Sequence, residues 1–212
     1  YADSSLELNS VLLDYNLHTP VSTRRSFSIA NPEVIFNNIP YSQQFSGLSV
    51  PADLFESYDD DDLRKEFFFQ PGTNVFRGGY SGAPTLFTGI ATDELLLIRA
   101  ECRARAGLIN EALNDLNTLL QNRYKTGEFT PLTAATAEEA LALILTERRK
   151  ELLFRGTRWT DLRRLNQEPG HEVTLTRVVD GITYTLAPNS PLYVFPIPEN
   201  EIKLTNIPQN IR

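Results

Sequence analysis

Residues 92–121 carry two helical periodicities separated by one breaker, and that pair limits the possible folds more than any other feature of the chain. Thr92 is placed to cap a first helix, with Asp93 and Glu94 in the opening turn, where the positive end of the helix dipole favours acids. Leu95, Ile98, Cys102 and Ala106 recur at helical spacing and predict its apolar stripe, which would make Cys102 a buried, inert thiol. Gly107 stops this helix, and Ile109, Leu113, Leu116 and Leu120 predict the inner face of a second. Helices joined by so few residues must lie antiparallel. The texture A-x-A-G-x-x-x-E-A-L over residues 104–113 is that of a tetratricopeptide-type junction.

A third helix opens at Thr136-Ala137-Glu138-Glu139, a capping box, and is predicted to run to about Arg155 with Gly156 as a left-handed cap. Residues 159–165 restart as a fourth, so residues 91–166 read as two helical hairpins. On a wheel of the third helix, Leu141, Ile144, Leu145 and Leu152 cluster; Arg148 falls inside that stripe and Arg155 beside it. A guanidinium there costs several kcal/mol unless it is paired, and Glu101 and Asp161 are the candidate partners. The expectation is a structural ion-pair network rather than an anion or sugar-acid site, with Trp159 as a core anchor.

Both flanks are irregular. Residues 1–90 are loop-rich, with helices expected near 4–16, 51–58 and 61–69, a turn and short strand at 31–36, and glycine-punctuated loop at 71–84. In residues 167–212, Asp180-Gly181 between two β-rich runs (173–179 and 182–186) predicts a tight hairpin, followed by extended chain and one helical turn at 199–203. Thirteen prolines and eleven glycines favour long ordered loops beside the helices. The whole reads as a single, mainly α domain over residues 1–212: tetratricopeptide-like hairpins, long ordered loops and one small β-hairpin.

Composition excludes several roles. A net charge of −7 offers no basic face for nucleic acid. The aliphatic run at residues 95–98 falls far short of the roughly 20 residues that span a bilayer. One cysteine rules out an internal disulfide and a cysteine-rich zinc site.

Residues 147–165, ERRKELLFRGTRWTDLRRL, closely resemble the E-R-R-x-E-L-x-F-E-G-x-R-W-x-D-L-R-R segment of the SusD/RagB family, with Arg155 where that family usually has Glu. Four more pieces agree in order: ELLLIRAECRARAG from Glu94, EVIF from Glu33, YDDDDLR from Tyr58, and FPIPENE from Phe195 with the late Gln209-Asn210. The resemblance implies a surface lipoprotein of the Bacteroidetes outer membrane. Such proteins bind a glycan or peptide, take part in polysaccharide uptake and sit as a lid on a SusC-like TonB-dependent transporter, with no cofactor and no chemistry of their own. It also implies a family about twice this length, whose N-terminal half carries the lipidated cysteine. This chain then corresponds to the C-terminal portion, and membrane contact would come only through that anchor. The rival function is a helical-hairpin interaction module that contacts the transporter without a small-molecule site.

Glycan sites pair aromatic faces with polar side chains. On that ground Tyr41, Gln43, Gln44, Phe45, Tyr58, Arg77 and Tyr80 are the ligand candidates. Asp59–Asp62 lacks the spacing of a calcium loop and is expected to be a solvated turn that caps the next helix, with Arg64 neutralising it. Neither His18 nor His171 lies in a recognisable catalytic motif, so no enzyme is expected.

Overall fold

The computed structural model describes residues 1–22, 26–38, 47–83 and 85–212. The chain packs as two compact units, Tyr1–Gly156 and Thr157–Arg212. It is mainly helical.

In the first unit, α1 (Ala2–Leu8) leads through a 3-10 turn to β1 (Val34–Phe36), α2 (Ala52–Glu56) and α3 (Arg64–Phe68). Next comes β2 (Ile90–Ala91), antiparallel to β1, and then α4 (Thr92–Arg105), α5 (Ile109–Gln121) and α6 (Ala137–Glu151). The first helix is shorter and earlier than its periodicity predicts. After Leu8 the chain turns extended at Asn9, because Leu13 and Tyr15 are drawn into other contacts: the Leu13 carbonyl accepts from Arg123, and the Tyr15 amide donates to Asn122.

Helices α4 and α5 form the expected hairpin, closed by Gly107 at φ 78°. The buried face of α4 is not the predicted stripe. Leu96, Leu97, Ala100 and Ala104 point inward, whereas Ile98 and Cys102 are exposed. Four consecutive apolar residues, 95–98, leave the helical phase ambiguous. Ala100 and Ala104 set it, since small side chains permit close packing against the neighbouring helices. Thr92 is the first helical residue rather than the cap, and its amide donates to the Glu33 carbonyl. The inner face of α5 matches expectation and adds Ala112 and Leu119.

Thr136 caps α6 by accepting from the Glu139 amide, while Glu139 reaches back one residue further than a standard capping box, to the Ala135 amide. The helix ends at Glu151, four residues before the predicted end. Leu152 breaks the ladder and Phe154 adopts a left-handed φ of 55°. That turn packs the Phe154 ring against Phe76 and frees Arg155 to reach Asp93.

Two apolar clusters fill this unit. One is helical, built from α4, α5 and α6 around Leu97, Leu116, Leu119 and Ile144. The other fills the loop-rich part and is dominated by rings, among them Tyr15, Phe27, Tyr58, Phe67, Phe76 and Tyr80. Segments with little regular structure fill volume with large side chains, and tilted or edge-on ring pairs such as Tyr15–Phe67 and Phe27–Tyr80 result.

The second unit holds α7 (Arg158–Leu165), the antiparallel hairpin β3 (Leu175–Val179) and β4 (Ile182–Leu186), and α8 (Glu199–Thr205). Asp180 and Gly181 both take positive φ, as the tight turn requires. Trp159 lies between Tyr193 and Phe195, its indole N–H donating to the Tyr193 carbonyl. Gln209 bonds both backbone groups of Ile197, and Asn210 donates to the Phe195 carbonyl, so these two residues hold the extended segment in place.

Candidate functional site

The charges of residues 147–155 are mostly buried, and they tie the loops to the helices. Glu147 and Glu151 stand one helical turn apart on α6. Arg64, fully enclosed, donates to Glu147 at 2.6 Å, to Glu151 at 3.1 Å and to Asp62 at 2.7 Å. Glu151 passes the chain of contacts on to Arg123 at 2.8 Å, and Arg123 in turn donates to Glu33 at 2.9 Å. The Tyr80 hydroxyl donates to Glu33, and the Tyr15 and Tyr80 hydroxyls lie 3.0 Å apart. Lys150 adds contacts to Glu147 and Asp62.

Burial alone would pull Arg64 and Arg123 down. Asp62, Glu147 and Glu151 hold Arg64 above its ordinary range, and Glu151 and Glu33 do the same for Arg123. Burial pushes Glu33 up to about 7, against the opposing pull of Arg123. Each cation meets carboxylates at hydrogen-bond distance, so the cluster is a structural fastening rather than a vacant anion site.

Sequence reasoning paired Arg64 only with the neighbouring aspartates and missed Arg123, because Glu147, Glu151 and Glu33 lie far away along the chain. The residues named in advance as structural are placed as follows. Arg148 is buried, 3.9 Å from Glu94. Glu101 pairs with Arg105 along α4, and in the second unit Asp161 pairs with Arg164 along α7.

The ligand candidates separate into two groups. Tyr41, Gln43, Gln44 and Phe45 lie outside the described residues. Tyr58, Tyr80 and Arg77 are corrected to core residues. The two tyrosines are 1% and 2% exposed, which leaves no ring face for a sugar. Tyr58 donates to the Lys150 carbonyl, and Arg77 donates to the Glu66 carbonyl. Their composition suggested a binding surface, but the same rings are what the loops need for a core.

The four aspartates are all occupied by protein donors: Asp59 by Tyr124, Asp60 by Lys65, Asp61 by Lys125 and Asp62 by Arg64. Asp62 also accepts from the Arg64 amide at the start of α3, as expected of a cap, but it is buried and not solvated. Among the described residues no cluster of three metal-ligating side chains occurs, and no helix is long and apolar enough to cross a membrane.

Beside this turn an open cleft of about 620 Å³ is walled by half-buried Phe55 and by Lys65, Gln70, Thr73 and Lys125. It combines an aromatic edge with amide, hydroxyl and ammonium groups, a set suited to polyhydroxylated ligands.

Comparison with known proteins places this arrangement. The SusD family (SusD_RagB) profile matches residues 92–211. No curated protein matches the sequence. Among solved structures, a SusD-like carbohydrate binding protein from Bacteroides vulgatus superposes with a TM-score of 0.65 at 22% identity, over 97% of this chain and 53% of its own. A SusD superfamily protein from Bacteroides thetaiotaomicron gives 0.67 at 20% identity, over 100% of this chain and 55% of its own. A SusD-like protein from Bacteroides fragilis gives 0.64 at 18%, over 99% and 60%. The chain therefore spans little more than half the length of these structures.

Proposed function

Because the chain belongs to the SusD family, we propose that it is part of a cell-surface protein that captures a glycan, or another nutrient oligomer, and delivers it to a SusC-like TonB-dependent outer-membrane transporter. The family match over residues 92–211 carries this reading. The fold shared with a carbohydrate binding protein supports it, and the cleft at Phe55, Gln70 and Thr73 offers a place for a sugar. In this reading Tyr41, Gln43, Gln44 and Phe45 contribute ligand contacts. In this reading the protein is a surface lipoprotein and performs no chemistry of its own. Titration calorimetry of the intact chain against a panel of neutral oligosaccharides tests the capture step. Binding of at least one sugar, weakened by Phe55→Ala together with Gln70→Ala, is the expected result. Absence of binding across the panel, in this chain and in the longer protein that contains it, would reject the reading.

One observation favours the second function, a transporter-facing interaction module. On the β3–β4 hairpin, Val179, Ile182 and Tyr184 share one face and are 41%, 57% and 56% exposed. An apolar face of this kind suits a protein partner. Co-purification with the transporter, lost on Ile182→Asp, separates the two functions, since sugar binding would be unaffected.

A further inference from the structure

Within the second unit, the C-terminal end of α7 and residues 189–194 enclose a cleft of about 200 Å³. Amide side chains fix its frame. Asn166, the residue after α7, is buried, and all its side-chain groups are engaged. Its Oδ1 accepts from the Val173 amide at 2.8 Å, and its Nδ2 donates to the hydroxyl of buried Tyr193 at 3.2 Å. Its carbonyl accepts from Asn189 Nδ2 at 2.7 Å, and Asn189 Oδ1 accepts from Gln167 Nε2 at 2.6 Å. Asn189 holds a left-handed φ of 59°, and the Ser190 hydroxyl oxygen accepts from the Leu192 amide. Pro191 and Val194 supply the apolar part of the wall. The cleft is therefore shaped before any ligand arrives, which lowers the cost of binding.

Four polar lining residues are within reach of a ligand: Arg163, Gln167 and Asn189 are exposed and Ser190 is half-buried. Together they hold more unused donors than acceptors. Gln167 and Asn189 each keep a second amide hydrogen, and Ser190 keeps its hydroxyl hydrogen. Arg164 pairs with Asp161, but Arg163 has no ion-pair or hydrogen-bond partner among the described residues. Gln167 Oε1 is the main unused acceptor. A sugar hydroxyl brings a donor with its acceptor and so uses such a wall less well than a carboxylate. A carboxylate only accepts, and it matches a guanidinium in charge and in two-pronged shape. Net charge permits it. Residues 157–212 hold six basic and six acidic side chains, so the −7 of the chain lies in the first unit and the second has none to repel an anion. The cleft is smaller than the roughly 300–1,000 Å³ of a whole-ligand pocket and has room for one ring of a chain. We propose that it binds the carboxylate-bearing ring of an acidic sugar, a hexuronate. The proposal rests on the glycan-capture reading above.

The test is titration of the intact chain, at low ionic strength, with trigalacturonate and with its methyl ester, which keeps the sugar skeleton and loses the charge. The acid is expected to bind about fivefold tighter, the upper end of what an exposed ion pair contributes. Added salt should shrink that preference. Arg163→Gln should remove it while leaving binding of neutral sugars unchanged. Val194→Trp, at a 39% exposed position on the cleft wall, should block the cleft without altering any of the polar side chains that line it. Acid and ester binding equally, or a preference that survives both variants, overturns the proposal. Triglutamate binding as tightly as trigalacturonate also overturns it, because the cleft would then read a carboxylate and not a sugar. In each of these cases any sugar that still binds leaves the capture reading standing; failure of every sugar, in this chain and in the longer protein, removes both.

Discussion

Arg64 on α3 and Glu147 on α6 meet at 2.6 Å with the guanidinium wholly enclosed, although 83 residues separate them in sequence. The pair joins the loop-rich part of the first unit to its helices. Removing Arg64 would leave Asp62, Glu147 and Glu151 with one fewer cation at their centre. Arg64→Met is therefore expected to destabilise the chain by about 3–5 kcal/mol in urea unfolding, the range for breaking a buried pair from one side. Adding Glu147→Leu should restore part of that loss. A single variant that unfolds at the wild-type urea midpoint would contradict the role given to Arg64.

Glu33 makes stability depend on pH in an unusual direction for a carboxylate. Burial raises it to about 7, above the range of an unfolded glutamate, so folding takes up a proton between about pH 4.5 and 7. Its contribution is complete below the unfolded value and is lost as pH rises through 7. The contribution of this group to unfolding free energy should fall on going from pH 5 to 8, by at most about 1.4 kcal/mol per pH unit. Glu33→Gln, which cannot titrate, should flatten that part of the profile. An identical pH profile for the variant would remove Glu33 as the source.

Two glycines with similar backbone angles should respond differently to the same change. Gly82 and Gly107 have φ of 66° and 78°. A Cβ on Gly82 would lie 2.5 Å from the backbone of Ile29, whereas one on Gly107 would meet open space. Gly107→Ala should cost roughly 1 kcal/mol, the left-handed penalty alone. Gly82→Ala adds a backbone clash to that penalty and should lower the melting temperature further. Equal melting temperatures would show that the Ile29 segment yields without cost.

The helices and the hairpin were legible in the sequence because their signals are local. Gly107, Thr136 and Asp180-Gly181 each act within a few residues, and the α4–α5 junction and the β3–β4 turn stand where they predict. What failed depends on contacts across the chain. The end of α6 is set by where Phe154 and Arg155 find partners, at Phe76 and Asp93, and nothing near residue 151 announces it. Two of the ligand candidates, Tyr58 and Tyr80, are core residues for a compositional reason. Tyr58 and Tyr80 have the chemistry of a sugar platform and of a loop core alike, and only burial distinguishes the two.

The phase of α4 gives the last prediction. Its periodicity put Cys102 inside, yet the cysteine is exposed, while Leu97 five residues earlier is fully buried among the helices. In the folded chain Cys102 should react with a thiol reagent at a rate close to that of a free cysteine, without prior unfolding. Cys102→Ser should change stability by no more than about 0.5 kcal/mol, as surface substitutions do. Leu97→Ala removes side-chain volume that α5 and α6 cannot refill and should cost about 2–5 kcal/mol. If labelling of Cys102 required denaturant, or if the two variants were equally stable, the helix would have to be turned back toward the stripe its sequence suggests.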